Sequence, residues 1–130
     1  MSNISITINN TPDKKEDVVS NESSFTNMPQ RREEVVVEPH SSVRDVLYHG
    51  SGIVPETWPN ANITNEGPAN EITAEYFWAP MIGAWTLYTS VKVKLGETKI
   101  LSSTPNATNY GMIKIINDTD RKCFVTAETR

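Results

Sequence analysis

Little in this sequence can carry covalent or metal chemistry. Cys123 is the single cysteine among 130 residues. One thiol excludes an internal disulfide and a multi-cysteine zinc site, and it suits a reducing compartment. Histidine is nearly as scarce. His40 and His49 are the only two, and neither has a cysteine or carboxylate at ligand spacing, so no metal is expected. A glycine-rich phosphate loop is also missing, and no cofactor is expected. Twelve Lys+Arg face 16 Asp+Glu for a net charge of −4, and the signs alternate, as in "DKKED" and "RREE". Without a basic block, charge gives no indication of RNA contact. The longest apolar run, "FWAPMIGAW", falls well short of the ~18–20 residues that span a bilayer, so no membrane partner is expected. The opening "MSNISITINNTPDKKED" lacks the apolar stretch of a signal peptide. Six Asn-x-Ser/Thr sequons, at Asn3, Asn9, Asn21, Asn62, Asn106 and Asn117, are therefore read as a by-product of Asn and Thr richness.

Oily residues are few and unevenly placed. Hydrophobic residues make up 37% of the chain, and residues 1–34 hold neither leucine nor tryptophan. All three tryptophans and all four tyrosines follow position 46. This divides the chain into an extended N-terminal arm and linker over residues 1–40 and a β-domain over residues 41–130. Within the arm, Ile4, Ile6 and Ile8 alternate with Ser5 and Thr7, the period of a strand. A strand in so polar a segment needs a distant partner or another chain, so these three isoleucines are the expected subunit interface.

The rest reads as short strands. "EEVVVEP" is a β-branched run stopped by Pro39. In "YTSVKVKL", Val91, Val93 and Leu95 alternate with Ser90, Lys92 and Lys94. "GETKILSS", "YGMIKIIND" and "KCFVTAE" extend the series, while "EYFWAPMIGAW" reads as a strand, a bend and an aromatic corner. "SGIVPETWPNANITNEGPANE" reads as loop, punctuated by proline and glycine. The fold class expected is all-β, a jelly-roll-like sandwich, with one short helix near residues 42–49. For that helix Ser42 is the cap, Asp45 completes a capping-box variant, Gly50 is the stop, and Val43, Val46 and Leu47 fall at i, i+3 and i+4. With Trp78 and Trp85, these three aliphatic residues are the expected core.

Three stretches invite a reading of function. Cys123 in "RKCFV" has cationic neighbours that can lower a thiol pKa. With no histidine near in sequence, it reads as a small buried hydrophobe. "LYHGS" resembles the opening of an ADP-ribosyltransferase site of the diphtheria-toxin and PARP type. That resemblance implies an NAD-using enzyme with His49 and Gly50, then Tyr76 or Tyr88, then Glu128 as its residues. The capping pattern offers His49 a plainer place, at a helix end beside the dipole.

The third resemblance spans more of the chain. "EEVVVEPHSSVRDVLYHG" and "EYFWAPMIGAWTLYTSVKVKL" are similar, over residues 33–95, to capsid proteins of picorna-like insect viruses of the dicistrovirus and iflavirus type. Ser42, Val43, Arg44, Asp45, Val46 and Leu47 match the family's capped helix. Tyr76, Met81 and Trp85, followed by Ser90, Val91, Lys92, Val93 and Lys94, match its aromatic stretch and basic strand. The resemblance implies a non-enzymatic coat protein, assembling with copies or sister subunits into a virion shell from the host cytoplasm. Eight jelly-roll strands with loops are expected to need about 170 residues. The chain is then either part of a longer coat protein or a divergent small one. A small viral or phage β-binding module is a further alternative.

Overall fold

The structure is a computed structural model and describes residues 30–130. Ile4, Ile6 and Ile8 lie outside the described residues. Eight strands follow in chain order: β1 (Arg32–Val37), β2 (Ser41–Gly50), β3 (Ala61–Pro68), β4 (Glu71–Ala79), β5 (Thr86–Lys94), β6 (Thr98–Leu101), β7 (Tyr110–Asn117) and β8 (Cys123–Thr129). They form two four-stranded sheets, β1-β8-β3-β6 and β2-β7-β4-β5. Every pairing is antiparallel.

Alternation along each strand selects the inner face. β4 turns Ile72, Ala74 and Tyr76 inward, with the more exposed Thr73 and Glu75 between them. β7 contributes Ile113 and Ile115, β8 Val125 and Ala127, β3 Ala61 and Ile63, and β5 Val93. Each large aliphatic side chain buried here contributes about 1.5–3 kcal/mol. The core is the layer between two half-wet sheets, so the polar residues of "YTSVKVKL" remain on the outer face.

The expected helix at residues 42–49 is not formed; these residues belong to β2. The reason lies in the register against β7. Val43 opposes Ile115, Val46 opposes Ile113 and His49 opposes Gly111, so the strand is bulged twice, once in each interval. Each bulge adds one residue, and the inward repeat becomes three instead of two. A repeat of three mimics a helical face. Asp45 and Leu47 take up the extra length with φ of 62° and 50°. The Leu47 N–H donates to Glu33 Oε1 on β1 at 2.9 Å, so the bulge leaves no orphan donor there.

The expected loop at residues 51–71 also needs correction, because it contains β3. That strand brings one large aliphatic side chain inward, Ile63, with Ala61, Asn65 and Gly67 as its other buried positions. The inward Asn65 replaces apolar packing with hydrogen bonds. Its Nδ2 donates to Ala69 O at 3.2 Å and Val93 O at 3.0 Å, while its Oδ1 accepts from Gly67 N–H at 2.8 Å. Polar-rich segments can thus be central strands when the buried amide is fully satisfied. β1 falls inside residues 1–40, the expected arm, and pairs along its length with β8.

Candidate functional site

Chain direction places three long connections at one end of the sandwich: residues 51–60, 80–85 and 102–109. The first and third are stapled together. Glu56 and Thr108 exchange backbone hydrogen bonds at 2.9 and 2.8 Å. Trp58 Nε1 donates to Thr108 Oγ1 at 2.8 Å. The Ser103 hydroxyl donates to Trp58 O, and Ser103 N–H to Asn60 Oδ1 at 2.9 Å. Asn109 Nδ2 donates to Gly52 O at 2.7 Å and Ile53 O at 3.2 Å.

Two aromatic layers close this end. In the inner layer the His49 imidazole stacks on the Trp58 indole, with centroids 5.0 Å apart and planes 8° from parallel. Trp58 also lies against the Gly111 backbone, where a Cβ would meet its Cδ1 at 2.8 Å. Both side chains are buried. Arg31 reaches in from the residue before β1. Its Nη1 donates to Tyr48 O at 2.6 Å and lies 3.2 Å from His49 Nδ1. Arginine has only donors, so Nδ1 is the acceptor and the imidazole proton belongs on Nε2. That Nε2 is buried with no hydrogen-bond partner. Burial, and secondly the Arg31 cation, depress the His49 pKa to about 3. Burial likewise lowers the Arg31 pKa, against the pull of Glu33 and Tyr76. It raises that of Tyr76, whose hydroxyl donates to Pro59 O at 3.0 Å.

The outer layer is Tyr48, Tyr110 and Trp85. Tyr48 and Trp85 meet edge to face at 6.3 Å, Tyr48 and Tyr110 tilt at 6.3 Å, and Trp85 and Tyr110 meet at 6.4 Å. Beyond these rings, Ile53, Val54, Met81 and Ile82 project from the loops.

The residues singled out by sequence scatter across this frame. Val46 and Leu47 are in the core and Val43 packs against it, whereas Trp78 and Trp85 are half-buried. Trp58 is the tryptophan of the core cluster, and its signal in the sequence was a tryptophan held between Pro55 and Pro59. The ADP-ribosyltransferase set is not brought together. His49 is 7% exposed and covered by Trp58, Tyr76 is buried, Tyr88 is exposed on β5, and Glu128 is exposed on β8 of the other sheet. Cys123 is fully buried on β8, and burial raises its pKa, so it is held as the thiol. His40 pairs instead with Asp120 at 2.5 Å on the surface. Among the described residues no group of three His, Cys, Asp or Glu could hold a metal ion.

These features define a small antiparallel β-sandwich protein whose distinctive chemistry is an aromatic and aliphatic loop end. Residues 31–126 match the family model described as PirA-like, and the chain belongs to that family. A crystal structure of PirA is similar at 26% identity with a TM-score of 0.68, covering 85% of this chain and 100% of that one. The crystal structure of the Yersinia pseudotuberculosis-derived mitogen shares the fold, at 6% identity and a TM-score of 0.58, over 77% of this chain and 83% of that one. No curated protein matches.

The family corrects the reading of function. The match spans the same residues, 33–95, that resemble insect-virus capsids, so the coat role, the capsid-subunit partners and the virion localisation all fall. The ADP-ribosyltransferase and viral-module alternatives fall with them. The capsid likeness rested on a capped helix that is really a twice-bulged strand, and on an aromatic stretch that any packed β-corner can supply. The PirA-like match does not itself point to a catalytic activity.

Proposed function

We propose that this chain is a non-enzymatic component of a two-chain toxin of the PirA-like, Photorhabdus insect-related type, acting with a partner of the PirB type and made by a bacterium. The observation that carries this reading is the PirA-like match over residues 31–126. Similarity to the PirA crystal structure over that whole chain supports it. The buried and neutral His49 and the protonated Cys123 thiol suit packing better than nucleophilic or acid–base chemistry. The strand order, β1-β8-β3-β6 facing β2-β7-β4-β5, supports reading the sandwich as an eight-stranded jelly roll. Eight strands fit in so short a chain because several connections are tight turns, such as Ala69–Asn70 between β3 and β4.

The purified chain is to be mixed with a PirB-type chain and run on a sizing column, and each chain fed singly and together to insect larvae. A co-eluting complex and toxicity that needs both chains are expected. Separate elution at micromolar concentrations, with toxicity indifferent to this chain, would remove the proposal.

A further inference from the structure

Apolar side chains scattered over a surface need no explanation. Here the three most exposed lie on two neighbouring loops. Ile53 and Val54 are 77% and 68% exposed on the β2–β3 loop, and Ile82 is 91% exposed on the β4–β5 loop beside the half-exposed Met81. Both loops leave the sheet next to the start of β7, because Gly50 and Ala79 pair with Tyr110 from either side. Neither "SGIVP" nor "PMIGAW" contains an ionisable side chain.

The loops are built to hold these side chains out. Gly83 has φ 149°, and a Cβ there would lie 2.8 Å from Pro80 Cγ, so the turn closes tightly on itself. The other loop is held by Asn109 of the third connection. Ser51 N–H donates to Asn109 O at 2.9 Å, and the Gly52 and Ile53 carbonyls accept from Asn109 Nδ2. At the base of both loops stand Tyr48, Trp85 and Tyr110, rings with apolar bodies and polar tips.

We propose that this end of the sandwich inserts shallowly into a lipid surface. Ile53, Val54, Met81 and Ile82 enter the acyl boundary, and Tyr48, Trp85 and Tyr110 rest at headgroup level, where Trp and Tyr are enriched. A hydrocarbon boundary offers no hydrogen bonds, and the Gly52 and Ile53 carbonyls are already paired, with Asn109 Nδ2. A protein partner would be expected to bring a polar, hydrogen-bonding rim to this patch, and neither loop tip carries a charge to meet it. The uncharged tips and the net charge of −4 match a zwitterionic surface, not one that must be anionic. The absence of a spanning run does not bear on this, since shallow contact needs none. The inference goes beyond the two-chain reading and does not depend on it.

The test is flotation of the full chain with phosphatidylcholine vesicles, with and without phosphatidylserine. The wild type should float with both, and added salt should change little. The double variant Ile53→Asn, Ile82→Asn should lose roughly tenfold or more in partition. The control Ile100→Asn, Phe124→Asn, on the other sheet, should float like wild type. A wild type that stays in solution, or a control that loses as much as the loop variant, overturns the proposal. So does a wild type retained through these loops by a protein partner alone. Should the loop variant misfold, brominated phosphatidylcholine decides. It should quench wild-type tryptophan emission, and Trp85→Phe should remove most of that quenching; no quenching in the wild type also overturns the proposal.

Discussion

The imidazole of His49 lies face to face on the indole of Trp58, 5.0 Å between centroids, while its Nδ1 faces the Arg31 guanidinium at 3.2 Å. The ring is thus closed in by an aromatic face and a cation, and the neutral form is strongly preferred. In the unfolded chain the same histidine titrates near pH 6.5. Between that value and about 3 the unfolded state binds the extra proton. The His49 contribution is therefore complete above about pH 6.5 and declines as pH falls towards 3, by up to about 1.4 kcal/mol per unit. Thermal melts between pH 7 and 5, above most carboxylate titration, should show a falling midpoint in the wild type and a flatter profile in His49→Phe. Parallel profiles would contradict the burial described.

Gly111 is the other wall of the Trp58 slot. Gly111→Ala puts a methyl group 2.8 Å from Trp58 Cδ1. The indole cannot retreat, because His49 covers it at 5.0 Å. Denaturant unfolding should show a loss of about 1–3 kcal/mol, as for other overpacked cores. Trp58→Ala should cost more, about 3–5 kcal/mol.

Asp45 distinguishes a bulged strand from a helix by the sign of one substitution. In a helix interior, Asp→Gly is unfavourable by a few tenths of a kcal/mol. In β2, Asp45 is exposed with φ 62°, a conformation that glycine adopts freely. Asp45→Gly should therefore stabilise the protein by about 0.5 kcal/mol, and Asp45→Val should destabilise it by about 1 kcal/mol or more. Urea midpoints of the three proteins are sufficient to decide this.

Asn65 is fully buried and ties β3 to the β3–β4 turn, β5 and Cys123. Asn65→Ala leaves the buried carbonyls of Ala69 and Val93 without this donor. A loss of about 2–4 kcal/mol is expected. Amide exchange at Gly67 should rise with it, since its N–H loses the Oδ1 acceptor at 2.8 Å.

How legible the molecule was in its sequence depended on which residues filled the inner face. Where branched aliphatic side chains alternate with charges, as in "VKVK" and "MIKII", the strand and its orientation could be read directly. β3 could not, because Asn65 and Gly67 occupy inward positions and its hydrogen-bond partners come from distant strands. β2 shows a helix-like period in its sequence because two bulges turn alternation into a repeat of three. The loop end was legible only in part. "FWAPMIGAW" announced an aromatic corner, but nothing local shows that Tyr110 and Tyr48 would join Trp85 there. Those neighbours are brought in by sheet pairing between residues far apart in the chain.

One consequence concerns how the molecule can be held. Arg31 is tied to Thr129, Arg130 N–H donates to Asn60 O at 3.0 Å, and both anchor points lie beside the three long loops. Reporter groups attached near either residue would crowd that end. A handle placed in the short turn at residues 118–122, at the far end of the sandwich, would orient every copy on a sensor chip with its oily fingertips pointing into the flow.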